Sequence, residues 1–216
     1  MKRALIAGGS SPIGASIAEN LAASGHHVTV HANRNADAAR TTVARIIEAG
    51  GAADTLTLDL RARESGETLE ALATENPFHV FVHCVGGHRD MPFAGMSHED
   101  WRDIIDLNLN SFHMALHPII MPMIRARWGR IIAISSLTAI TGNRGQANYA
   151  AAKGGMLALV KSLTREYGAR GLTANVVAPG IIETRQMQAL ENYDELVQLS
   201  SAGRAGTTDE VAAVVG

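Results

Sequence analysis

A tyrosine and a lysine stand four residues apart in the stretch QANYAAAKGG, residues 146–155. Four residues make one helical turn, so the side chains of Tyr149 and Lys153 would share one face of a helix. An ordinary tyrosine has a pKa of about 10, and an ammonium group one turn away stabilises the phenolate and lowers that pKa. The pair is therefore predicted to be an acid with its charge partner. An exposed helical pair without a chemical role has the same spacing.

Two other polar residues are candidates to act with this pair. Ser136 ends the apolar run RIIAISS, thirteen residues before Tyr149, and its hydroxyl would hold a carbonyl oxygen beside the phenol. Asn108 lies inside a long helical pattern, where asparagine is a poor interior residue. We expect Asn108 to hold a water molecule rather than to support the helix. The plainer alternatives are a turn cap for Ser136 and the cap of a broken helix for Asn108.

A glycine-rich stretch, GGSSPIG at residues 8–14, lies between the first apolar run and the first helical pattern. Glycines there let the chain turn sharply and approach a pyrophosphate, while the helix N-terminus offers unpaired N–H groups to phosphates. Proline is tolerated in the first helical turn, but Pro12 removes one possible donor. The stretch predicts a dinucleotide site, and a tight connection is the alternative.

The residues after the second apolar run indicate which dinucleotide is preferred. An acidic residue at this place binds the ribose hydroxyls of NAD, whereas an arginine accommodates the 2′-phosphate of NADP. The stretch HANRN, residues 31–35, has no carboxylate before Asp37. Asn33 and Arg34 would hydrogen-bond to that phosphate and neutralise it, so NADP(H) is favoured. A solvated loop arginine is the alternative for Arg34.

The elements that must position these residues alternate along the chain. Apolar runs typical of buried strands cover residues 3–7, 27–32, 54–60, 79–85, 130–136 and 172–179. Helical patterns cover residues 13–25, 36–51, a segment ending near 76, 97–120, the stretch around Tyr149 and two final stretches, the last starting at 207. The alternation predicts an α/β fold, a doubly wound parallel sheet between two layers of helices. Ligands bind such sheets at the carboxyl ends of the strands, where the polar residues above fall.

The bulk composition narrows the class of protein. The chain has 216 residues, of which 46% are hydrophobic and 4% aromatic, enough for one domain with an aliphatic core. A net charge of −2 argues against general binding to nucleic acid or to anionic lipid. A single cysteine, Cys84, cannot form an intrachain disulfide and favours a reducing, cytoplasmic setting. No apolar stretch has the length of a signal core or a membrane span.

A family resemblance rests on the full set of these residues. They are Gly8, Gly14, Asn108, Ser136, Tyr149 and Lys153. Together they resemble the short-chain dehydrogenase/reductase family over essentially the whole chain. Residues 142–153, 161–184 and 202–206 are most similar to the 3-oxoacyl-(acyl-carrier-protein) reductase subgroup. The resemblance implies one NAD(P)-binding domain with a Rossmann fold over residues 1–216. It also implies NADPH-dependent reduction of a 3-oxoacyl thioester in fatty-acid or polyketide-type synthesis, by a homotetramer or a homodimer.

The resemblance also implies a role for each site residue. Tyr149 would donate the proton, Ser136 would bind the carbonyl oxygen, and Lys153 would bind the nicotinamide ribose and tune Tyr149. Asn108 would anchor a water molecule that resupplies protons. The implied cofactor-binding residues are Gly8, Gly9, Ser10, Ser11, Ile13, Gly14, Asn33, Arg34, Asp59, Leu60, Cys84, Val85, Gly86, Tyr149, Lys153, Pro179, Gly180, Ile182 and Thr184. Arg127 and Arg170 would contact the acidic carrier protein near the entrance of the site.

Three departures from the family pattern bear on these expectations. Ala7 stands where the family usually has threonine, which would lose a hydrogen bond in the turn. HCVGG, residues 83–87, replaces a motif with two asparagines, and Pro12 replaces a glycine. His83 and Cys84 are neighbours on a strand, so they point to opposite faces, and we predict packed side chains and no metal site. The chain also stops in a helical pattern, where relatives continue into a seventh strand, so we expect a sheet without that strand.

Two other functions remain open at this stage. One is reduction of acetoacetyl-CoA or another small ketone on the same scaffold, because variable loops bind the acyl group. The other is a nucleotide-binding partner subunit without catalysis, which the altered residues 83–87 favour. The presence of all four residues Asn108, Ser136, Tyr149 and Lys153 argues for an enzyme.

Overall fold

The computed structural model describes residues 1–216. Its six strands are β1 (Arg3–Ala7), β2 (His27–Ala32), β3 (Ala52–Thr57), β4 (Val80–His83), β5 (Gly129–Ile134) and β6 (Leu172–Val177). They form one parallel sheet in the order β3-β2-β1-β4-β5-β6. The order reverses between β1 and β4, and this reversal opens a crevice at the carboxyl ends of the strands. The predicted doubly wound α/β fold is confirmed.

Ten helices surround the sheet. They are α1 (Pro12–Ala23), α2 (Ala36–Glu48), α3 (Glu64–Glu75), α4 (His98–Ile105), α5 (Ser111–Ala126), α6 (Thr138–Thr141), α7 (Ala147–Tyr167), α8 (Arg185–Gln188), α9 (Tyr193–Gln198) and α10 (Thr208–Val215). Buried side chains of α1, α2 and α10 pack on one face of the sheet, and those of α3, α5 and α7 pack on the other. The strands are therefore covered on both faces, which explains their continuous apolar runs.

The long helical pattern at residues 97–120 is not one continuous helix. Residues Asp106–Asn110 form a π-helical segment between α4 and α5, and α5 then runs to Ala126 through Pro118 and Pro122. Apolar spacing continues on both sides of the insertion, so the pattern alone did not reveal it. Such π-segments often occur at functional sites, and this one contains Asn108.

Other boundaries shift by a few residues from the prediction. β1 and β2 match their apolar runs, whereas β3 to β6 end two or three residues earlier than theirs, because the residues beyond them form loops at the carboxyl edge. The end of the chain has three helices instead of two, and the short α6 was not predicted. No helix is long and apolar enough to cross a membrane.

A groove of about 570 Å³ lies on the β6 side of the sheet. It lies between α7 and β6, and Val160, Ala174 and Val176 are among its mostly apolar lining. It contains none of the predicted site residues. The expectation of a sheet without a seventh strand is met, since β6 is an edge strand.

Candidate active site

The predicted site residues meet at the carboxyl edge of the sheet. The loops after β1, β2, β3, β4 and β6 supply residues 8–11, 33–34, 59–60, 84–86 and 179–184, and Ser136 follows β5. The start of α7 supplies Tyr149 and Lys153, and the π-segment supplies Asn108. Parallel strands end at the same edge, so one topology gathers residues that are far apart in the sequence.

Tyr149 lies at the start of α7 and is partly buried, with Ser136 and His88 of the loop after β4 as neighbours. Burial raises its pKa above the ordinary value, a hydrogen bond with Ser136 lowers it, and the charge of Asp90 raises it again. The expected net lowering of the pKa of Tyr149 is therefore wrong for this structure, because burial outweighs the Ser136 hydrogen bond and the charge of Asp90 adds to the rise. A raised pKa keeps the phenol protonated at neutral pH.

Lys153 is one turn further along α7, and its side chain is 3% exposed. Its Nζ donates to the Ile134 carbonyl at 2.9 Å and approaches the Val85 carbonyl at 3.5 Å. The same Nζ lies 5.8 Å from the centre of the Tyr149 ring. No carboxylate pairs with this ammonium group, and burial lowers its pKa to about 8.

Asn108 is fully buried, and protein groups take up its hydrogen bonds. Its Nδ2 donates to the carbonyls of Gly87 and Ile104, each at 2.9 Å, and its Oδ1 accepts from the Gly87 N–H at 3.3 Å. Its amide therefore ties the loop after β4 to the π-segment, and the expectation that it holds a water molecule stays a prediction. It still borders the site, because a Cβ built on Gly86 would lie 2.7 Å from its Oδ1 and 3.0 Å from Lys153 Nζ.

The glycine loop after β1 adopts a strained turn that only glycine accommodates. Gly8 has φ +78°, and a Cβ built there would lie 2.8 Å from the Val85 nitrogen. Ser11 caps α1 by accepting from the Gly14 N–H at 3.1 Å, and Pro12 occupies the first helical position, as predicted. Ile13 is then the first residue of α1 whose N–H has no partner in the chain.

His31, at the end of β2, is a residue of this loop that the sequence analysis missed. It is 2% exposed. Its Nδ1 accepts from the Gly8 N–H at 3.0 Å, and its Nε2 lies 2.8 Å from the Leu58 carbonyl. The hydrogen bond from the Gly8 N–H gives the turn a side-chain partner. Ala7, which stands where the family usually has threonine, cannot provide one. A polar residue inside a run that is otherwise buried was the signal that could have revealed it.

The loops after β2 and β3 form the far end of the crevice. Asp59 accepts from the Arg61 N–H at 3.0 Å, and this bond holds the pKa of Asp59 below its usual range. Burial opposes the effect, whereas the side chains of Arg61 and Asn33 add to it. Asn33 therefore lies beside Asp59. Leu60 is buried next to them, and Arg34 is exposed on the neighbouring loop.

A second missed group lies beside Tyr149. The ring of His88 packs edge-on against the Tyr149 ring at 5.8 Å, and its Nδ1 lies 2.7 Å from an oxygen of Asp90. Both Asp90 oxygens accept from Gln146 Nε2 at 2.9 Å, so the loop after β4 is tied to the loop before α7. These residues stand in variable loops and show no periodic pattern, so nothing in the sequence singled them out.

The segment after β6 closes the other side of the crevice. The Pro179 carbonyl accepts from the Leu137 N–H at 2.8 Å, next to Ser136. Ile182 pairs with Gly206, and Thr184 caps α8 by accepting from the Met187 N–H at 3.2 Å. A Cβ built on Gly180 would lie 3.9 Å from Leu137, so Pro179 and Gly180 lie beside the loop that contains Ser136, and the chain then continues through Ile182 and Thr184 to α8.

His83 and Cys84 pack on opposite faces of the sheet, as predicted. His83 packs between Phe81 and Phe112, its Nε2 lies 3.0 Å from the Ser111 hydroxyl, and its Nδ1 has no partner. Burial lowers the pKa of His83. Burial also raises the pKa of Cys84 to about 12, so this thiol stays protonated and unreactive.

Arg127 and Arg170 lie together but not near the entrance that the sequence analysis expected. Arg127 precedes β5 and Arg170 precedes β6, so both lie at the amino edge of the sheet, opposite Tyr149. The Arg127 Nη2 donates to the Ala169 carbonyl at 3.0 Å. The predicted parallel sheet already placed residues that precede a strand at the amino edge, so this expectation failed because it came from the family resemblance and did not use the topology.

The crevice between β1 and β4 fits a dinucleotide. Side chains at Gly8 or Gly86 would collide with its walls, and the free Ile13 N–H points from the start of a helix that favours negative charge. A doubly wound sheet with this loop and with Ser136, Tyr149 and Lys153 beside it defines a nicotinamide-dependent oxidoreductase. The chain belongs to the short chain dehydrogenase family, whose pattern matches residues 2–195.

Curated relatives agree with this membership. The chain is 38% identical over 214 residues to the 3-oxoacyl-(acyl-carrier-protein) reductase FabG of Aggregatibacter actinomycetemcomitans, covering 98% of this chain and 88% of the relative. It is 40% identical over 220 residues to FabG of Escherichia coli, covering 99% and 88%. The reductase of the same name from Synechocystis is 36% identical over 214 residues, covering 98% and 86%.

Proposed function

We propose that the chain, as one domain over residues 1–216, reduces the 3-oxo group of a 3-oxoacyl thioester on acyl carrier protein, with NADPH. The reaction would belong to fatty-acid or polyketide-type synthesis, as the names of the relatives suggest. The observation that carries the proposal is the buried ammonium of Lys153, one turn from Tyr149 and without a carboxylate partner. An unpaired buried charge is costly, and such exceptions are expected at functional sites.

Tyr149 is the acid of the proposed reaction. Its raised pKa keeps the proton on the phenol at neutral pH, and that proton goes to the carbonyl oxygen as the C=O double bond is reduced to C–OH. When bound, NADPH supplies the hydride for the carbonyl carbon. Ser136 hydrogen-bonds to the same oxygen as negative charge develops there. Lys153 binds the nicotinamide ribose and stabilises the phenolate that remains, and Asn108 positions Gly86 and Gly87 beside it.

NADPH is proposed in preference to NADH because of the loop after β2. Arg34 is exposed there, and no carboxylate stands on this loop before Asp37. Arg34 and Asn33 would receive the 2′-phosphate. Asp59 and Leu60 would border the adenine, and residues 179–184 would border the nicotinamide.

The carrier protein is proposed to dock on Arg127 and Arg170. The positive charges of Lys2, Arg3 and the N-terminus lower the pKa of the nearby His79, after burial, which indicates a positive potential at this amino edge. Strands of six residues are about 20 Å long, so the amino edge is about that far from Tyr149 of the same copy. We therefore propose that a carrier docked there delivers its acyl group to Tyr149 of a neighbouring copy in a homotetramer or homodimer.

The oxidation of NADPH, followed by absorbance, tests the proposal. Purified protein would receive acetoacetyl-carrier protein or acetoacetyl-CoA, each with NADPH or NADH. We expect turnover with NADPH and acetoacetyl-carrier protein. Its kcat/KM should be at least tenfold higher than when NADH replaces NADPH or when acetoacetyl-CoA replaces the carrier substrate. Equal rates with CoA would support the small-ketone reductase instead. Folded protein that binds NADPH but is silent with all four pairs would support the non-catalytic partner subunit.

A further inference from the structure

The Gly8 peptide is held from both sides by side chains of the chain. Ser11 donates to the Gly8 carbonyl through its hydroxyl at 2.8 Å and its N–H at 3.0 Å. On the other side, the Gly8 N–H donates to His31 Nδ1 at 3.0 Å. His31 is therefore the partner that fixes the amino side of the turn where the chain would approach the cofactor.

The two contacts of His31 determine its tautomer. A backbone N–H can only donate, so Nδ1 must accept and carries no proton. The single proton of the neutral ring is then on Nε2, which donates to the Leu58 carbonyl at 2.8 Å. His31 thus joins the glycine loop after β1 to the segment after β3 that contains Asp59.

A second proton on His31 would break this arrangement. It would place an N–H on Nδ1, directly against the N–H of Gly8, and two donors cannot bond. Gly8 has little room to move away, because its backbone packs against the Cys84 and Val85 backbone. The protonated ring would therefore displace the turn or leave its pocket.

The groups that act on His31 are few. Burial favours its neutral form, while the Leu58 carbonyl and the Asp59 carboxylate favour its charged form. The other titratable neighbour is His83 on β4, which is itself buried. The balance lowers the pKa of His31 below its ordinary 6.5, so the charged form appears only in acid.

We infer that His31 is a positioning residue for the dinucleotide, and that its neutral form is required for tight binding. The inference rests on the proposed function in taking NADP(H) as the ligand of the loop. It extends that function, because His31 bonds to the glycine loop only through the Gly8 N–H. His31 therefore acts on the shape of the loop and contacts neither the reacting atoms nor the N–H groups that would face the cofactor.

The test is calorimetric titration with NADP⁺ at pH 7.5 and pH 5.5. His31→Gln keeps an acceptor and a donor but does not titrate, whereas His31→Leu removes both. We expect His31→Leu to weaken binding at least about tenfold at pH 7.5, with affinity restored by His31→Gln to within about threefold of the unmodified chain. From pH 7.5 to 5.5 the unmodified chain should lose more affinity than His31→Gln, by a factor under about tenfold because the pKa of His31 lies below 6.5. Titration of the 2′-phosphate is common to both chains.

His98→Gln, an exposed histidine at the start of α4, is the matched control and should follow the unmodified chain at both pH values. Binding by a folded His31→Leu that equals the unmodified chain would overturn the inference alone. A His31→Gln chain that loses as much NADP⁺ affinity from pH 7.5 to 5.5 as the unmodified chain would also overturn it. This comparison remains informative if His31→Leu does not fold. Absence of NADP⁺ binding by the unmodified chain at pH 7.5 would overturn the proposed function as well.

Discussion

At the scale of single residues, the site depends on a charge that the fold buries at a cost. Lys153 has no carboxylate partner, and its pKa of about 8 stands against 10.5 for the free side chain. The folded chain releases this proton near pH 8, whereas the unfolded chain holds it up to pH 10.5. Between these values the unfolded state binds more protons, so stability rises with pH.

Lys153→Met tests this cost. The difference in unfolding free energy between the unmodified chain and Lys153→Met should be constant below pH 8. It should then move in favour of the unmodified chain by up to about 3 kcal/mol as pH approaches 10.5. Urea unfolding at pH 7, 8, 9 and 10 measures the difference. A difference that does not change over this range would show that Lys153 is not buried with its charge.

Asp90→Asn tests the electrostatics of Tyr149. After burial and the opposing bond from Ser136, the charge of Asp90 is what raises the pKa of Tyr149. Asparagine keeps an acceptor but removes the charge, so the pKa of Tyr149 should fall. Oxidation of the 3-hydroxyacyl product needs the phenolate, and its rising pH limb should move to lower pH. The exposed Glu99→Gln is the control, and an unmoved limb in Asp90→Asn would contradict the account.

The residue scale also shows what sequence reasoning can reach. Spacing and residue type predicted that Tyr149, Lys153 and Ser136 act at one place, and the structure brings them together. The direction of the pKa shift of Tyr149 was wrong because burial depends on the whole fold. His31 and His88 were missed because each acts through contacts with loops distant in the sequence.

At the scale of elements, the turn between β1 and α1 is the most constrained part of the site. A Cβ on Gly14 would lie 2.3 Å from the Gly8 carbonyl oxygen and 2.8 Å from Gly9 Cα, both backbone atoms. Backbone cannot move aside as a side chain does, so the first turn of α1 and the glycine loop form one rigid unit.

Gly14→Ala and Gly154→Ala form a matched pair within helices. Gly14→Ala should lower the unfolding free energy by about 1–3 kcal/mol or more, as overpacked cores do, and abolish cofactor binding. At Gly154 in α7 the nearest atom to a new Cβ is 3.8 Å away, so Gly154→Ala should stabilise by about 0.5–1 kcal/mol. Denaturant titration measures both, and a tolerated Gly14→Ala would contradict the packing described for the loop.

Apolar periodicity predicted the strands and most helices, since burial on both faces leaves a clear pattern. The π-segment at residues 106–110 was not predicted, because one extra residue per turn preserves the apolar spacing on either side. The poor fit of Asn108 to a helix interior was the one local signal of the break. Its hydrogen bonds to Gly87 connect the segment to the loop after β4.

At the scale of the whole molecule, the two edges of the sheet have different roles. The carboxyl edge gathers the residues proposed for catalysis and cofactor binding, and the amino edge gathers positive charge. At that edge Trp128 lies under both Lys2 and Arg130, whose charged groups are 3.8 and 4.4 Å from its rings. The alternating pattern predicted the parallel fold and its carboxyl edge as the ligand-binding edge, whereas the expected place of Arg127 and Arg170 came from the family resemblance and conflicts with that topology.

Reversal of charge at the amino edge tests the proposed carrier contact. The double variant Arg127→Glu, Arg170→Glu should lower kcat/KM for acetoacetyl-carrier protein about tenfold or more, because an acidic partner loses two attractive charges. Turnover of acetoacetyl-CoA should stay within about twofold. The difference should shrink as salt is raised, since exposed charges are screened. An equal loss with both substrates would contradict a docking role.

The central claim is that Tyr149 supplies the proton in a reduction at this site. The most direct measurement is the turnover of Tyr149→Phe with NADPH and acetoacetyl-carrier protein, beside NADPH binding by the same variant. Loss of the acid should lower kcat at least about 10²–10⁴-fold, while NADPH affinity stays within about threefold of the unmodified chain. Turnover retained by a folded Tyr149→Phe would contradict the account, because the proton would then come from another group.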